Sequence, residues 1–368
     1  MTLTRHTESV AAVVSDTGTI AITSGSEVKS MRAAAFTDLV GPDGVSVVDR
    51  PDPEPAQGQA VVDVDACAIN RHDLWILDGD SAMVDAADLP FVSGLDVAGV
   101  VRAVGDDASV DPGDRVVLCP NETCGVCRFC RDGPENLCAE FSLYHGGLAE
   151  QAVVAADRLV ALPDGVDTTT AAALPTAYMT AYHMLRRADV SPGDLVFVPG
   201  ATGGVGVAGV QLANAMGART VGTSSSSSKL AQVETLGLDH ALEVTDPDAM
   251  RSAVADVGEP DAVLNHLGGP YTAVGLDVMR RGGRMLVCGR TAGGTSEIDV
   301  PDLFLGHKRV EGSTMGTQRD LERLVDLVAS GTFTPAVAET YPLEETGAAF
   351  AAMQKRERVG KLVVTPSA

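Results

Sequence analysis

Four cysteines crowd one short stretch, CGVCRFCRDGPENLC, where Cys124, Cys127, Cys130 and Cys138 follow one another at spacings of two, two and seven residues. Four thiolates so spaced can close a tetrahedral Zn²⁺ site. Disulfides or an iron–sulfur cluster would use the same residue type, but no secretion signal is recognised, so zinc is the expectation. A closed four-thiolate set leaves no coordination position for substrate, which makes its expected task structural. The remaining Cys67, Cys119 and Cys288 sit among apolar residues and read as small buried hydrophobes rather than nucleophiles.

A second stretch carries binding chemistry: LVFVPGATGGVGVAGVQLANAMGARTVGTSSSSSK, residues 195–229. An apolar run short enough for a buried strand is broken by glycines, and a helix expected from about Val205 to Met216 returns the chain to a second β-like run. Ala201, Gly203 and Gly206 form an A-x-G-x-x-G turn. Side chains at Gly203 or Gly204 would hold the backbone away from a pyrophosphate, whose charge a helix N-terminus stabilises, and Gly206 lets helix and strand pack closely. Thr202, Gly203, Gly204, Val205 and Gly206 are therefore the expected nucleotide-binding residues. At the end of the second strand, near Ser224, a carboxylate would favour a free ribose 2′-hydroxyl and repel a 2′-phosphate. No Asp or Glu occurs from Gly206 to Gln232, whereas Ser225, Ser226 and Lys229 can donate to a phosphate. NADPH is thus expected over NADH; the competing reading is a flexible serine loop with one solvated lysine.

These stretches need elements to hold them. At 368 residues the chain suggests two domains. From Met31 onward short β-like runs alternate with Pro/Gly/Asp turns, and strands alternating with helices begin only after Leu162-Pro163-Asp164-Gly165. Residues 1–30, rich in Thr and Ser, are expected to be a disordered extension or a misassigned start. With 27 basic against 50 acidic residues the net charge is -23, which would repel nucleic acid and anionic membranes. Only five lysines occur and the acids are scattered, a pattern that resembles halophilic archaeal proteins. Without a signal segment or a long apolar run the protein is expected in the cytoplasm, acting on a small-molecule substrate.

The stretches GQAVVDVDACAINRHDLWILDG, LPFVSGLDVAGVV, the cysteine lobe, GGLAEQAVVAADRLVALPDG, AALPTAYMTAYHML, the glycine turn, RRGGRMLVCG and VGKLVV together resemble the medium-chain dehydrogenase/reductase superfamily, over about residues 31–366. The resemblance implies an α/β fold: a doubly wound parallel Rossmann sheet (163–318) inserted in a GroES-like β-rich domain built from both ends of the chain (31–162 and 319–368), with a zinc lobe at 119–140. It implies a homodimer or homotetramer, a site in the interdomain cleft and Thr180 near the nicotinamide ribose. Gly289, at the end of a later strand, falls where open α/β sheets bind ligands.

Departures from the family pattern carry the functional expectation. Asn70 stands where zinc alcohol dehydrogenases place a Cys ligand and Leu95 where they place a His ligand. A structural zinc without a catalytic one is therefore expected; a displaced metal using His72, Asp73 or Asp96 is the alternative. Asn70 followed by Asp73 resembles the quinone- and enoyl-reductase branches, in which hydride adds to an already electrophilic carbon. Asn70 would donate to the developing enolate, and His72 or a water would deliver the proton. GSTMG (312–316) resembles acryloyl-CoA reductases, although no Arg/Lys cluster for a CoA phosphate stands out in the sequence. Three readings follow: an NADPH-dependent reductase of enones, quinones or carbonyls, an alcohol/aldehyde dehydrogenase with a rearranged metal, and a non-catalytic NADPH-binding sensor.

Overall fold

A computed structural model describes residues 29–367. The expected N-terminal extension, all but its last two positions, lies outside them. In chain order, the elements that build the site are strand β1 (Gln59–Ala68), helix α1 (Arg71–Leu77) and strand β2 (Asp96–Val104), followed by α2 (Met179–Arg187), β3 (Leu195–Val198), α3 (Gly204–Ala215), β4 (Arg219–Ser224) and α4 (Ser227–Glu234). Strands β5 (His240–Glu243), β6 (Ala262–Asn265), β7 (Arg284–Val287) and β8 (Arg309–Gly312) precede α5 (Gln318–Ala329), β9 (Val337–Pro342) and β10 (Lys361–Thr365).

The second half of the chain forms a six-stranded sheet in the order β5-β4-β3-β6-β7-β8, with every pair parallel. Fully buried Leu-Val-Phe-Val in β3 fits this, since a sheet covered on both faces reads as continuous apolar sequence. The order reverses between β3 and β6, and in such sheets the crevice beyond the carboxyl ends at that point takes the ligand. A second large sheet has seven strands, among them β2, β1, β10 and β9 as neighbours in that order. β10 pairs antiparallel with β1, setting Val363 opposite Ala68 and Val364 opposite Cys67. The last strand of the chain therefore returns to its first half. This brings Lys361 beside the turn that leaves β1.

The sequence put residues from 319 onward in the β-rich domain. Helix α5 packs against α2 and the helical turn before it and also touches residues 159–161 of the β-rich domain, its apolar Leu321, Leu324 and Val325 buried in a core to which both domains contribute. The chain rejoins the β domain at β9.

Candidate active site

A cleft of about 530 Å³ lies between the two sheets. The glycine turn forms one wall: Gly203 caps the N-terminus of α3, and Thr202, Gly203, Gly204 and Val205 all line the cleft, as do Thr180, Ser225, Lys229 and Gly289. Gly206 does not line it. A Cβ there would stand 2.4 Å from the Gly200 carbonyl oxygen, so its task is the close approach of helix to strand. Ser226 is also outside the lining: its hydroxyl caps α4 by accepting from the Lys229 N–H at 3.4 Å. A Cβ at Gly203 would meet nothing nearer than 3.8 Å, which leaves the backbone at the helix N-terminus open to a pyrophosphate.

The opposite wall holds the network around Asn70, at the turn between β1 and α1. Its side-chain N–H groups both donate inside the protein, to Asp96 Oδ2 at 2.9 Å and Ala68 O at 3.3 Å, while its Oδ1 accepts from the Lys361 ammonium. That ammonium also donates to Ile69 O and Asp96 Oδ2, each at 3.0 Å. Asp96 Oδ1 accepts from the Thr176 N–H and hydroxyl. Burial lifts the Asp96 carboxyl above its ordinary range, opposed by Lys361 and these hydrogen bonds. The expectation that Asn70 donates to substrate meets a physical obstacle, since both of its amide hydrogens are already used. Leu95, fully buried and lining the same wall, offers no donor atom to a metal.

Asp73 lies beneath this wall rather than on it. It is fully buried and accepts from Asn70 N at 2.8 Å, Ser93 Oγ at 2.5 Å and Gly94 N at 3.2 Å, so it holds the turn in shape. His72 does line the cleft, stacked at 5.3 Å on His145, and its Nε2 has no protein partner. His266 lines the cleft near the glycine turn, also with an unpartnered Nε2. Burial drives it down to about 4, against bonds to the Gly200 and Pro199 backbone, so the ring is neutral at pH 7. Cys288 reaches the cleft but burial pushes its thiol up to about 12, which removes it as a nucleophile.

The structure supplies a cation cluster that the sequence did not show. Arg71, Lys229, Arg356, Arg358 and Lys361 line the cleft, and among the described residues no Asp or Glu does. Lys229 Nζ donates to the Arg356 carbonyl at 2.6 Å. Burial and then the Arg356 charge lower Lys229, and the same two causes, in that order, lower Arg71. Lys361 is paired with Asp96 and Arg358 with Glu339, which leaves Arg356 and the two cations it repels, Lys229 and Arg71, as the charges open to an anion. Glu243, on the strand next to β4, is turned away to accept from Ser227 N at 3.2 Å. At the cleft rim Arg290 stacks over Trp75 at 5.0 Å and donates to Asp80 O, tying the two domains.

The cysteine lobe lies apart from these walls. The four sulfurs are all within 4.8 Å of one another, with Cys127–Cys130 at 3.4 Å, Cys124–Cys138 at 3.5 Å and Cys124–Cys130 at 3.8 Å. Thiolates about 2.3 Å from a tetrahedral zinc stand roughly 3.8 Å apart, so the set fits that ion. Backbone N–H groups of Val126 and Cys127 bond the Cys124 sulfur and lower its pKa, which favours the thiolate. Among the described residues this is the one His/Cys/Asp/Glu cluster with such geometry, and no helix there is long and apolar enough to cross a membrane.

Residues 56–164 match the alcohol dehydrogenase GroES-like domain family and residues 204–330 the zinc-binding dehydrogenase family. An acryloyl-coenzyme A reductase of Metallosphaera sedula is 30% identical over 88% of this chain and 96% of its own. Among solved structures, an NAD-dependent alcohol dehydrogenase superposes with a TM-score of 0.82 at 32% identity, covering 92% of this chain and 100% of that one. A 2-octenoyl-CoA carboxylase reductase in complex with NADP and 2-octenoyl-CoA gives 0.84 at 27% identity, covering 91% and 87%.

Proposed function

Because the chain belongs to the medium-chain dehydrogenase/reductase superfamily and is an NAD(P)-dependent oxidoreductase, we propose that it reduces a C=C bond conjugated to a carbonyl, using NADPH and no metal at the reacting centre. One observation carries this reading: the wall where zinc would polarise a substrate oxygen is filled by Leu95 and by the closed Asn70–Lys361–Asp96 network. All three ammonium hydrogens of Lys361 have acceptors there. A simple carbonyl needs strong polarisation before it accepts hydride; a conjugated alkene already carries an electrophilic β-carbon.

The bound dinucleotide supplies the hydride. Gly203 and Gly204 offer their backbone to its pyrophosphate at the α3 N-terminus, and Thr180 lies on the same cleft. Lys229, Ser225 and Arg356 hold the 2′-phosphate. His72, whose Nε2 is unpartnered, hydrogen-bonds the substrate and delivers the proton to the α-carbon. Asn70 and Asp73 are positioning residues: the first locks Lys361 and Asp96, the second the turn that presents His72. The cysteine lobe holds one structural zinc. The charge of -23 supports an origin in high salt, and the exposed Phe304, Leu305 and Val310 around edge strand β8 support association of two copies through that edge.

Label transfer tests the reaction. With NADPH deuterated at C4 and cyclohex-2-enone as probe, deuterium is expected on the carbon β to the carbonyl of the saturated ketone. Deuterium on the carbinol carbon of an allylic alcohol would overturn the assignment.

A further inference from the structure

The segment after β8 lines the cleft with Thr314 and Met315, yet it is held from outside by the cysteine lobe. Three hydrogen bonds do this. Asn136 Nδ2 donates to Thr314 O at 2.8 Å, Asn121 Nδ2 donates to Gly316 O at 2.8 Å, and Glu135 Oε1 accepts from Gln318 N at 2.6 Å. Asn136, a buried residue two positions before Cys138, also faces His183 Nε2 at 3.2 Å. The other nitrogen of that ring bonds Asp320, fully buried, which in turn accepts from the Thr317 N–H and hydroxyl. Between these tethers Met315 sits at φ 52, a left-handed conformation that a side chain of its kind keeps only where its surroundings impose it. Its sulfur lies 3.9 Å from Thr180 Oγ1, at the cleft.

We propose that Asn136 is a positioning residue for the reaction: by holding the Thr314 carbonyl it transmits the fixed geometry of the cysteine lobe to Met315 and sets the substrate wall opposite Thr180. The inference rests on the reading of this cleft as the reductase site. Removing the Asn136 amide leaves the Thr314 carbonyl without its donor and frees Met315 to relax from its strained backbone. The glycine turn and the cations, on other elements, keep their places.

The test uses the full-length holoenzyme carrying Asn136→Ala, Asn121→Ala as a second tether variant, and Met315→Ala. Loss of one such hydrogen bond is expected to lower kcat/KM for cyclohexenone about tenfold, with NADPH affinity and zinc content unchanged. Asn136→Ala combined with Met315→Ala should be no worse than the poorer single variant, the mark of two residues acting through one another. A substrate-independent readout accompanies it: in the ¹³C-methyl methionine spectrum, Met315, assigned by its substitution, should shift or broaden in both tether variants. An unmoved Met315 resonance overturns the proposal even if the enone is not turned over. A moved resonance without enone reduction would retain the tether and count against the reductase reading alone. Additive losses, or lost stability with kcat/KM intact, would reduce Asn136 to a packing residue.

Discussion

Replacing Lys361 with Met is expected to cost the protein about 3–5 kcal/mol, the usual penalty for removing one partner of a buried ion pair. The ammonium is buried, and three acceptors surround it: Ile69 O, Asn70 Oδ1 and Asp96 Oδ2. Without it Asp96, at zero exposure, keeps only Asn70 and Thr176 as donors. Burial already raises the Asp96 carboxyl, and losing the opposing ammonium raises it further, so the deficit should be largest at neutral pH and shrink as pH falls toward the unfolded value near 3.9. Adding Asp96→Asn to Lys361→Met should recover most of the loss by removing the stranded charge. Urea unfolding at pH 7 and pH 5 measures both. A single variant as stable as the wild type would mean that the network is not the closed ion pair described above.

Reversing charge at Lys229 and Arg356 together should abolish discrimination for NADPH. Each contributes a cation to a cleft wall that no carboxylate lines among the described residues, and the two are linked through Lys229 Nζ and the Arg356 carbonyl. A charge-assisted bond contributes roughly 1.5–3 kcal/mol, so removing two lowers kcat/KM for NADPH at least about a hundredfold. Lys229→Glu with Arg356→Glu should leave the value for NADH within a fewfold, since that cofactor has no 2′-phosphate to lose. Equal losses with both cofactors would assign the cluster to the pyrophosphate or to an anionic substrate instead.

How much of this could be read from the chain depended on distance along it. The glycine turn and the four-cysteine lobe are local patterns, and their geometry follows from strand, turn and helix within a few dozen residues. Leu95 and Asn70 were legible as departures because each sits in a recognisable local stretch. What closes the site was not legible: Lys361 reaches Asn70 across 291 residues, through the pairing of β10 with β1. Arg71, Lys229 and Arg356 likewise come from α1, α4 and the segment before β10. A signal was nevertheless present. In a chain with only five lysines, two of them, Lys229 and Lys361, face one cleft. Ser226, offered by the sequence as a phosphate donor, has a second task that composition did not show, the cap of α4. Asn121 and Asn136, plain in sequence, gain meaning only because residues 314–318 fold against them.

Hydride transfer without a catalytic metal, beside a single structural zinc, predicts the zinc content of each subunit. Elemental analysis of wild-type protein that is turning over enone with NADPH should give one zinc, and Cys124→Ser, which removes one of the four thiolates, should give none together with a lowered melting temperature. Two zincs in the wild type, with one retained in Cys124→Ser, would contradict this and restore a metal to the wall formed by Asn70 and Leu95, in front of buried Asp96.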